Sequence, residues 1–369
     1  MWLPNASDSV KSPGNGADAA GMHILGGCRS LIIGVATLAT AGIGALGVAA
    51  AAAAPSSSSS QSVGTAVTAA VTVDSSRPTA FGLNVWSLAE LDRSQAALSS
   101  RPAVVGVFRD WAHAPDFPTA LATTVAGRGS SLMIAWEPWD SWRDTAIQPE
   151  YRLNDIAVGK YDALITRWAK QARAFGRPVL IRFAPEMNGD WRPWSTGVNG
   201  NVPGSYIRAW RHVVDRFRAA GARNVKWVWN PYVEVGESTP MAASYPGPSY
   251  VDWTALDGYN WGSVRQWGWQ SYDDIFASSV RRLTVVAPSK PWMMAEIGCA
   301  PGSAKAAWIT DTLSRARTAG AGAVVWFEFN KETDWRITAT PDSTAAVRSL
   351  LRGAGWRVGG NLSAVERLW

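Results

Sequence analysis

Beyond residue 75 the chain alternates short, almost continuously apolar runs with longer stretches in which apolar residues recur every three to four positions. Runs rich in β-branched and aromatic residues predict strands, and the longer period predicts helices, so the alternation is that of β/α units around a parallel sheet. Eight such runs stand out: Phe81–Trp86, Val104–Arg109, Leu132–Trp136, Val179–Phe183, Val225–Trp229, Trp253–Tyr259, Trp292–Glu296 and Val324–Phe329. Their near-continuous hydrophobicity fits strands covered on both faces. Between them, Ile156–Phe175 carries Leu164, Trp168, Ala172 and Phe175 near a helical period, and Tyr206–Ala220 carries Ile207, Trp210, Val214 and Phe217. Both read as outer helices, with Gly176 and Gly221 just past them where a helix stop is expected. The pattern predicts an α/β fold, a (β/α)8 TIM barrel in a single domain. An open doubly wound sheet is the rival, but no glycine-rich phosphate loop follows the first run.

Upstream the composition changes. Leu31 to Ala54 is apolar or small and uncharged, preceded by Arg29 and followed by Pro55 and the serines Ser56 to Ser60. A basic start, an apolar middle and small residues for cleavage are the order of a signal peptide. Residues 1–54 therefore read as a leader, with Met22 as an alternative start, and 55–74 as a Ser/Thr/Ala-rich linker. The barrel domain is expected over 75–369. The leader predicts a secreted, extracellular protein, anchored at the cell surface if the leader stays uncleaved, since the run is long enough to cross a bilayer. Leu25-Gly26-Gly27-Cys28 resembles a lipid-attachment site but precedes the apolar run instead of following it, so lipidation is rejected.

Composition sharpens this picture in one respect. The chain has 369 residues, 47% hydrophobic and 17% charged, which are globular values. Its 22 tryptophans exceed what packing alone asks for, and an indole offers a flat apolar face on which a sugar ring can lie. The net charge of +6 is spread over scattered arginines, with no basic cluster of the kind nucleic acid binds. Cys28 and Cys299 predict no bridge, and His23, His113 and His212 lack metal-ligand spacing, so neither a metal nor another cofactor is implied. A monomer is expected.

In a barrel of this kind, chemistry concentrates at the C-terminal ends of the strands. The fourth run leads from Arg182 and Phe183 into Ala184-Pro185-Glu186-Met187-Asn188-Gly189, and the seventh ends Met294-Ala295-Glu296-Ile297-Gly298. One glutamate beside an arginine reads first as a structural ion pair. Two at one mouth point to paired-carboxylate chemistry, in which one carboxylic acid protonates a glycosidic oxygen and a second carboxylate attacks the anomeric carbon. Arg182 would favour an ionised carboxylate, while Trp191 and Trp194 would desolvate Glu186 and keep its proton.

The segment Arg182–Trp194, RFAPEMNGDWRPW, resembles the acid/base segment of glycoside hydrolase family 26, the β-mannanase family. Further similarities follow in family order: IAWEPW at Ile134–Trp139, VWNP at Val228–Pro231, YVDWTALDGYNW at Tyr250–Trp261, AEIG at Ala295–Gly298 and VVWFEFNKETDWR at Val324–Arg336. The resemblance implies a retaining endo-β-glycanase with Glu186 as acid/base, Glu296 as nucleophile and Tyr259 bonded to the nucleophile. It implies sugar contacts from Trp191 and a platform at Trp326, with Arg182, Asn188, Trp136, Trp194 and Trp261 as further substrate-side candidates. A polysaccharide or oligosaccharide is the expected partner. β-1,4-Mannan is favoured, with β-1,3-xylan and mixed-linkage β-glucan as alternatives within the family. Pro185 stands where the family usually has His, and it brings neither a polar side chain nor an N–H. That departure keeps open a non-catalytic carbohydrate-binding barrel; a barrel serving polysaccharide assembly or remodelling at the cell surface is a third reading.

Overall fold

The computed structural model describes residues 77–369 except 144, 235 and 237, so the expected leader and linker lie outside the described residues. Eight strands alternate with helices: β1 (Thr79–Asn84), β2 (Val104–Asp110), β3 (Ser131–Glu137), β4 (Val179–Phe183), β5 (Val225–Trp229), β6 (Trp253–Asn260), β7 (Trp292–Cys299) and β8 (Ala323–Phe327). The helices are α1 (Leu88–Leu98), α2 (Thr119–Gly127), α3 (Leu153–Ala157), α4 (Asp162–Phe175), α5 (Ser205–Ala219), α6 (Ser278–Val286), α7 (Lys305–Thr318), α8 (Pro341–Leu351) and α9 (Leu362–Glu366). Each strand pairs in parallel with the next, and β1 pairs with both β8 and β2, which closes a (β/α)8 TIM barrel. A two-residue strand, β9 (Trp356–Arg357), pairs with Thr79 and Ala80 at the start of β1.

Closure divides each strand into two sets of side chains by alternation. Ala80, Val104, Met133, Leu180, Val228, Ala255, Met293, Ala323 and Val325 pack on one another inside the barrel. Their neighbours, among them Phe81, Val105, Ile134, Ile181, Trp229, Leu256, Met294 and Val324, pack in the layer shared with the helices. The C-terminal segment closes the N-terminal end. Leu368 and Trp369 pack against the inner set, with the Trp369 ring 5.2 Å from Trp253 and its Nε1–H donating to Ser131 Oγ at 2.8 Å.

The barrel expected from the hydrophobic pattern is present, with shifted boundaries. β1 starts two residues earlier than its apolar run, where it meets β9, and ends at Asn84 instead of Trp86. The helix expected over Ile156–Phe175 is two helices, α3 and α4, because the chain turns between them at Gly159, whose φ of +93° is incompatible with a continuing helix. Among the described residues no helix is long and apolar enough to cross a membrane.

Tryptophan packing accounts for much of the helix–strand layer. Trp136 of β3 stacks on Trp168 of α4 with ring centroids 4.7 Å apart, and the Trp168 indole N–H donates to the Ala114 carbonyl at 3.2 Å. Replacing the fully buried Trp168 by Ala removes a large ring and leaves that carbonyl unpaired. Urea unfolding should show Trp168→Ala about 3–5 kcal/mol less stable than the native chain.

Candidate active site

The functional end of the barrel is built where β3, β4, β6 and β7 terminate. Alternation along β4 turns Leu180 and Arg182 inward, and along β6 it turns Trp253, Ala255, Asp257 and Tyr259 inward. The guanidinium of Arg182, fully buried, donates from Nη2 to Glu296 Oε1 and from Nη1 to Asn230 Oδ1 at 2.9 Å, and faces Asp257 Oδ1 at 3.4 Å. Tyr259 donates its hydroxyl proton to Glu296 Oε2 at 2.8 Å. Both oxygens of Glu296 therefore face donors, an arrangement that suits the ionised form. Burial opposes charge on Arg182, but Glu296 and Asp257 outweigh it and hold the guanidinium protonated above its ordinary range.

Glu296 faces inward only because β7 breaks its own alternation. Met293 and Ala295 point into the barrel and Met294 outward, so regular continuation would send Glu296 to the helices. Instead Leu256 pairs with Met294 while Asp257 pairs with Glu296, leaving Ala295 as an extra residue, and the register against β8 slips at the same place. This β-bulge re-aims the side chain, which is a common use of bulges beside functional sites. Ile297 then faces the helix layer. Gly298 follows because a Cβ there would lie 2.8 Å from the Tyr259 ring.

Glu186 is carried by a strained loop. Ala184 and Glu186 have φ of +48° and +59°, a region that costs energy for residues with a Cβ and that clusters at functional sites. Surrounding bonds hold the loop: the Glu186 N–H donates to Asn230 O at 2.8 Å, and the Trp194 indole donates to Pro185 O at 2.6 Å. The Glu186 carboxylate, nearly buried, accepts from Trp191 Nε1 at 2.8 Å and faces Arg192 Nη2 at 3.4 Å. A side chain at Gly189 would collide with the Trp191 ring at 2.5 Å, so this glycine makes room for the indole that bonds the carboxylate. One carboxylate oxygen each from Glu186, Asp257 and Glu296 lie within 4.8 Å of one another. Three acids could in principle hold a cation, but the guanidinium of Arg182 already sits against two of them, and its charge opposes a metal there.

The structure brings Arg182, Glu186, Trp191, Tyr259 and Glu296 together, with Trp261 at the rim against Trp335 at 4.9 Å. Asn188 has a different task. Its side chain clamps the loop after β5, donating to Tyr232 O at 2.9 Å and accepting from Tyr232 N–H at 2.8 Å. Three tryptophans expected at the sugar are fully buried. Trp136 and Trp326 occupy outward positions of β3 and β8 and pack against Trp168 and Trp308, and Trp194 lies beneath the Glu186 loop. They expose no ring face to a ligand. Among the described residues the exposed tryptophans, Trp86, Trp142, Trp191, Trp267 and Trp269, all lie in segments following the C-terminal ends of β1, β3, β4 and β6.

Sequence reasoning passed over Asp257, Asn230, Arg192 and Glu137. Two had a usable signal: Asp257 stands two residues before Tyr259 on one strand, and Glu137 stands one residue after Trp136, hence on the opposite, inward face. Glu137 is buried, accepts from Trp139 Nε1 at 3.1 Å through one oxygen, and has no hydrogen-bond partner at Oε1. Burial pushes its carboxyl up to about 7, with Arg192 and Arg182 restraining the rise and Glu296 adding to it.

A barrel with three carboxylates clustered at its mouth suits hydrolytic chemistry, and sequence likeness names the class. The profile of glycosyl hydrolase family 26 matches residues 138–334, and the chain belongs to that family. It is 40% identical over 289 residues to Endoglucanase H of Acetivibrio thermocellus, covering 74% of this chain and 31% of that protein. It is 33% identical over 128 residues to Mannan endo-1,4-beta-mannosidase A and B of Caldalkalibacillus mannanilyticus, covering 33% of this chain and 22% of that one. The chain thus spans a third or less of these relatives' length. A modular endo-beta-1,4-mannanase from Cellulomonas fimi shares the fold, with a TM-score of 0.60, 15% identity, and coverage of 77% of this chain and 72% of that one.

The raised Glu137 carboxyl has a signed consequence for stability. Below the ordinary glutamate range, near 4.5, folded and unfolded chains both carry the proton; as pH rises from there to about 7 the unfolded chain releases it first, so stability is lost across that window. Relative to Glu137→Gln, the native chain should lose about 3 kcal/mol between pH 4.5 and 7, read by urea unfolding of both proteins at several pH values.

Proposed function

We propose that this protein is a retaining endo-β-glycanase in which Glu296 is the nucleophile and Glu186 the acid/base. The observation that carries the reading is the approach of their carboxylate oxygens to within 4.8 Å. Retention needs carboxylates about 5–5.5 Å apart, whereas inversion needs roughly 6.5–9.5 Å to admit a water between them. Glu296, with both oxygens held by Arg182 and Tyr259, attacks the anomeric carbon while Glu186 delivers its proton to the departing glycosidic oxygen. Water enters next, Glu186 takes its proton, and the bond to Glu296 breaks. The Trp191 indole orients Glu186 for both transfers.

For the substrate we favour an internal bond of a β-glucan. The 40% identity to an endoglucanase extends over 289 residues, whereas the mannosidase likeness covers 128 residues, and Pro185 departs from the mannanase pattern. A β-1,4-mannan is the second reading, favoured by the mannanase relatives. The apolar leader supports export.

On a panel of mixed-linkage β-glucan, carboxymethylcellulose, β-1,4-mannan and β-1,3-xylan, new reducing ends should appear fastest from a glucan. Freshly released product should keep the β configuration by NMR; α product would sink the double displacement. Glu186→Ala should lower kcat by ~10²–10⁴-fold on polysaccharide, with far less loss on an aryl glycoside whose leaving group needs no proton. Glu296→Ala should abolish turnover of both, and azide should restore it as a glycosyl azide of inverted configuration. Full activity of that variant would overturn the assignment.

A further inference from the structure

We infer that Asn84 of β1 is the positioning residue that holds the β7 bulge, and through it the aim of Glu296, with Gly106 of β2 as the space that lets it do so. The inference rests on Glu296 being the nucleophile.

The bulge leaves Ala295 without a paired residue in either neighbouring strand. Its carbonyl accepts a hydrogen bond from Asn84 Nδ2 at 2.9 Å, formed in the buried interior between residues 211 positions apart. β1 and β7 are not neighbours, since β8 lies between them, so this bond crosses inside the barrel from one strand to the next but one. Asn84 is buried and lies on the inward face of β1, two residues beyond Gly82 and four beyond Ala80. Opposite it in the β1–β2 register stands Gly106, and a Cβ there would fall 1.8 Å from Asn84 Oδ1. Nothing larger than glycine fits at 106 while Asn84 keeps this position.

A bulge has a flat competitor. If Ala295 slipped back into the ladder, every later residue of β7 would reverse its face, and Glu296 would move from the mouth into the helix layer. The amide donor at 84 favours the bulged state because only there does the Ala295 carbonyl turn to meet it. Asn84 hydrogen-bonds the backbone beside Glu296 and neither carboxylate, so its loss should act on the attack by Glu296 and leave the exposed aromatic surfaces in place.

The full chain is assayed with the most readily cleaved glycan of the panel and with an aryl β-glycoside of activated leaving group. Asn84→Leu, which removes the donor at similar size, should lower kcat at least tenfold with KM within about twofold, and the formation of the glycosyl-enzyme should be the slowed step in rapid-quench kinetics. Gly106→Ala, which displaces the Asn84 side chain, should give the same kcat-against-KM split. Asn84→Asp keeps the shape and donates only when protonated. Its activity should recover as pH falls, an acid-side rise absent from the native profile. A fold-stabilising role alone would lower melting temperature and leave that profile unchanged. Should Asn84→Leu fail to fold, the Asn84→Asp profile decides. Native kcat in the folded Leu and Ala variants, or a native pH profile in Asn84→Asp, overturns the inference. If those variants stay active while Glu296→Ala is dead, only the positioning role fails; if Glu296→Ala also stays active, the reading of the nucleophile fails first.

Discussion

The candidate site depends on a cation buried among the C-terminal ends of the strands. Arg182 is taken out of water at a cost of several kcal/mol, and such a charge is tolerated only when opposite charges and hydrogen bonds surround it. Glu296, Asp257 and Asn230 supply them from β7, β6 and the end of β5. Four strand ends are therefore tied through one guanidinium, whose planar fork reaches several acceptors at once where a lysine would reach as a point charge. Asp257 is the group that yields. Fully buried and beside a second carboxylate, it holds its proton well above the usual carboxylate range, despite Arg182. The guanidinium thus faces two acids, and Glu296 is the one that meets a donor at each of its oxygens.

Both proposed reacting carboxylates sit on irregular backbone. Glu296 needs an extra residue in β7, and Glu186 lies in a left-handed conformation one residue after Pro185. A regular barrel sends side chains along strands in strict alternation, and two acids from β4 and β7 do not converge by alternation alone. The departures are held by bonds from elsewhere: Asn230 O to the Glu186 amide, Asn84 to Ala295, Trp194 to Pro185. Strain at the functional end is thus distributed over a scaffold whose regular parts are tightly packed.

Periodicity made the barrel legible because strands buried on both faces and amphipathic helices leave different marks, and β4 and β5 begin and end where their apolar runs do. Motif likeness located the two glutamates. What it did not resolve was direction. Trp136 and Trp326 lie in the same motifs as site residues, but alternation sends them outward, while Glu137, one position on, faces the mouth. Counting parity from Tyr259 along β6 would have recovered Asp257. The same count fails at Glu296, because a bulge has no mark in a single sequence. Gly159 had such a mark, and a longer apolar period running across it concealed the break between α3 and α4.

Pro185 is better understood from conformation than from what it lacks. It stands between two residues of positive φ, Ala184 and Glu186, in a turn with few alternatives to exchange with if its centre is rigid. The pyrrolidine ring fixes φ near −65° and removes an N–H that this turn would otherwise have to satisfy beneath the barrel mouth. Its carbonyl receives the Trp194 indole, and Trp194 packs edge-on against Trp139, whose own N–H bonds Glu137. A proline at this place stiffens the turn that carries Glu186. The polar groups near that turn are then Arg192, close to Glu186 and over the Trp139 ring, and Glu137.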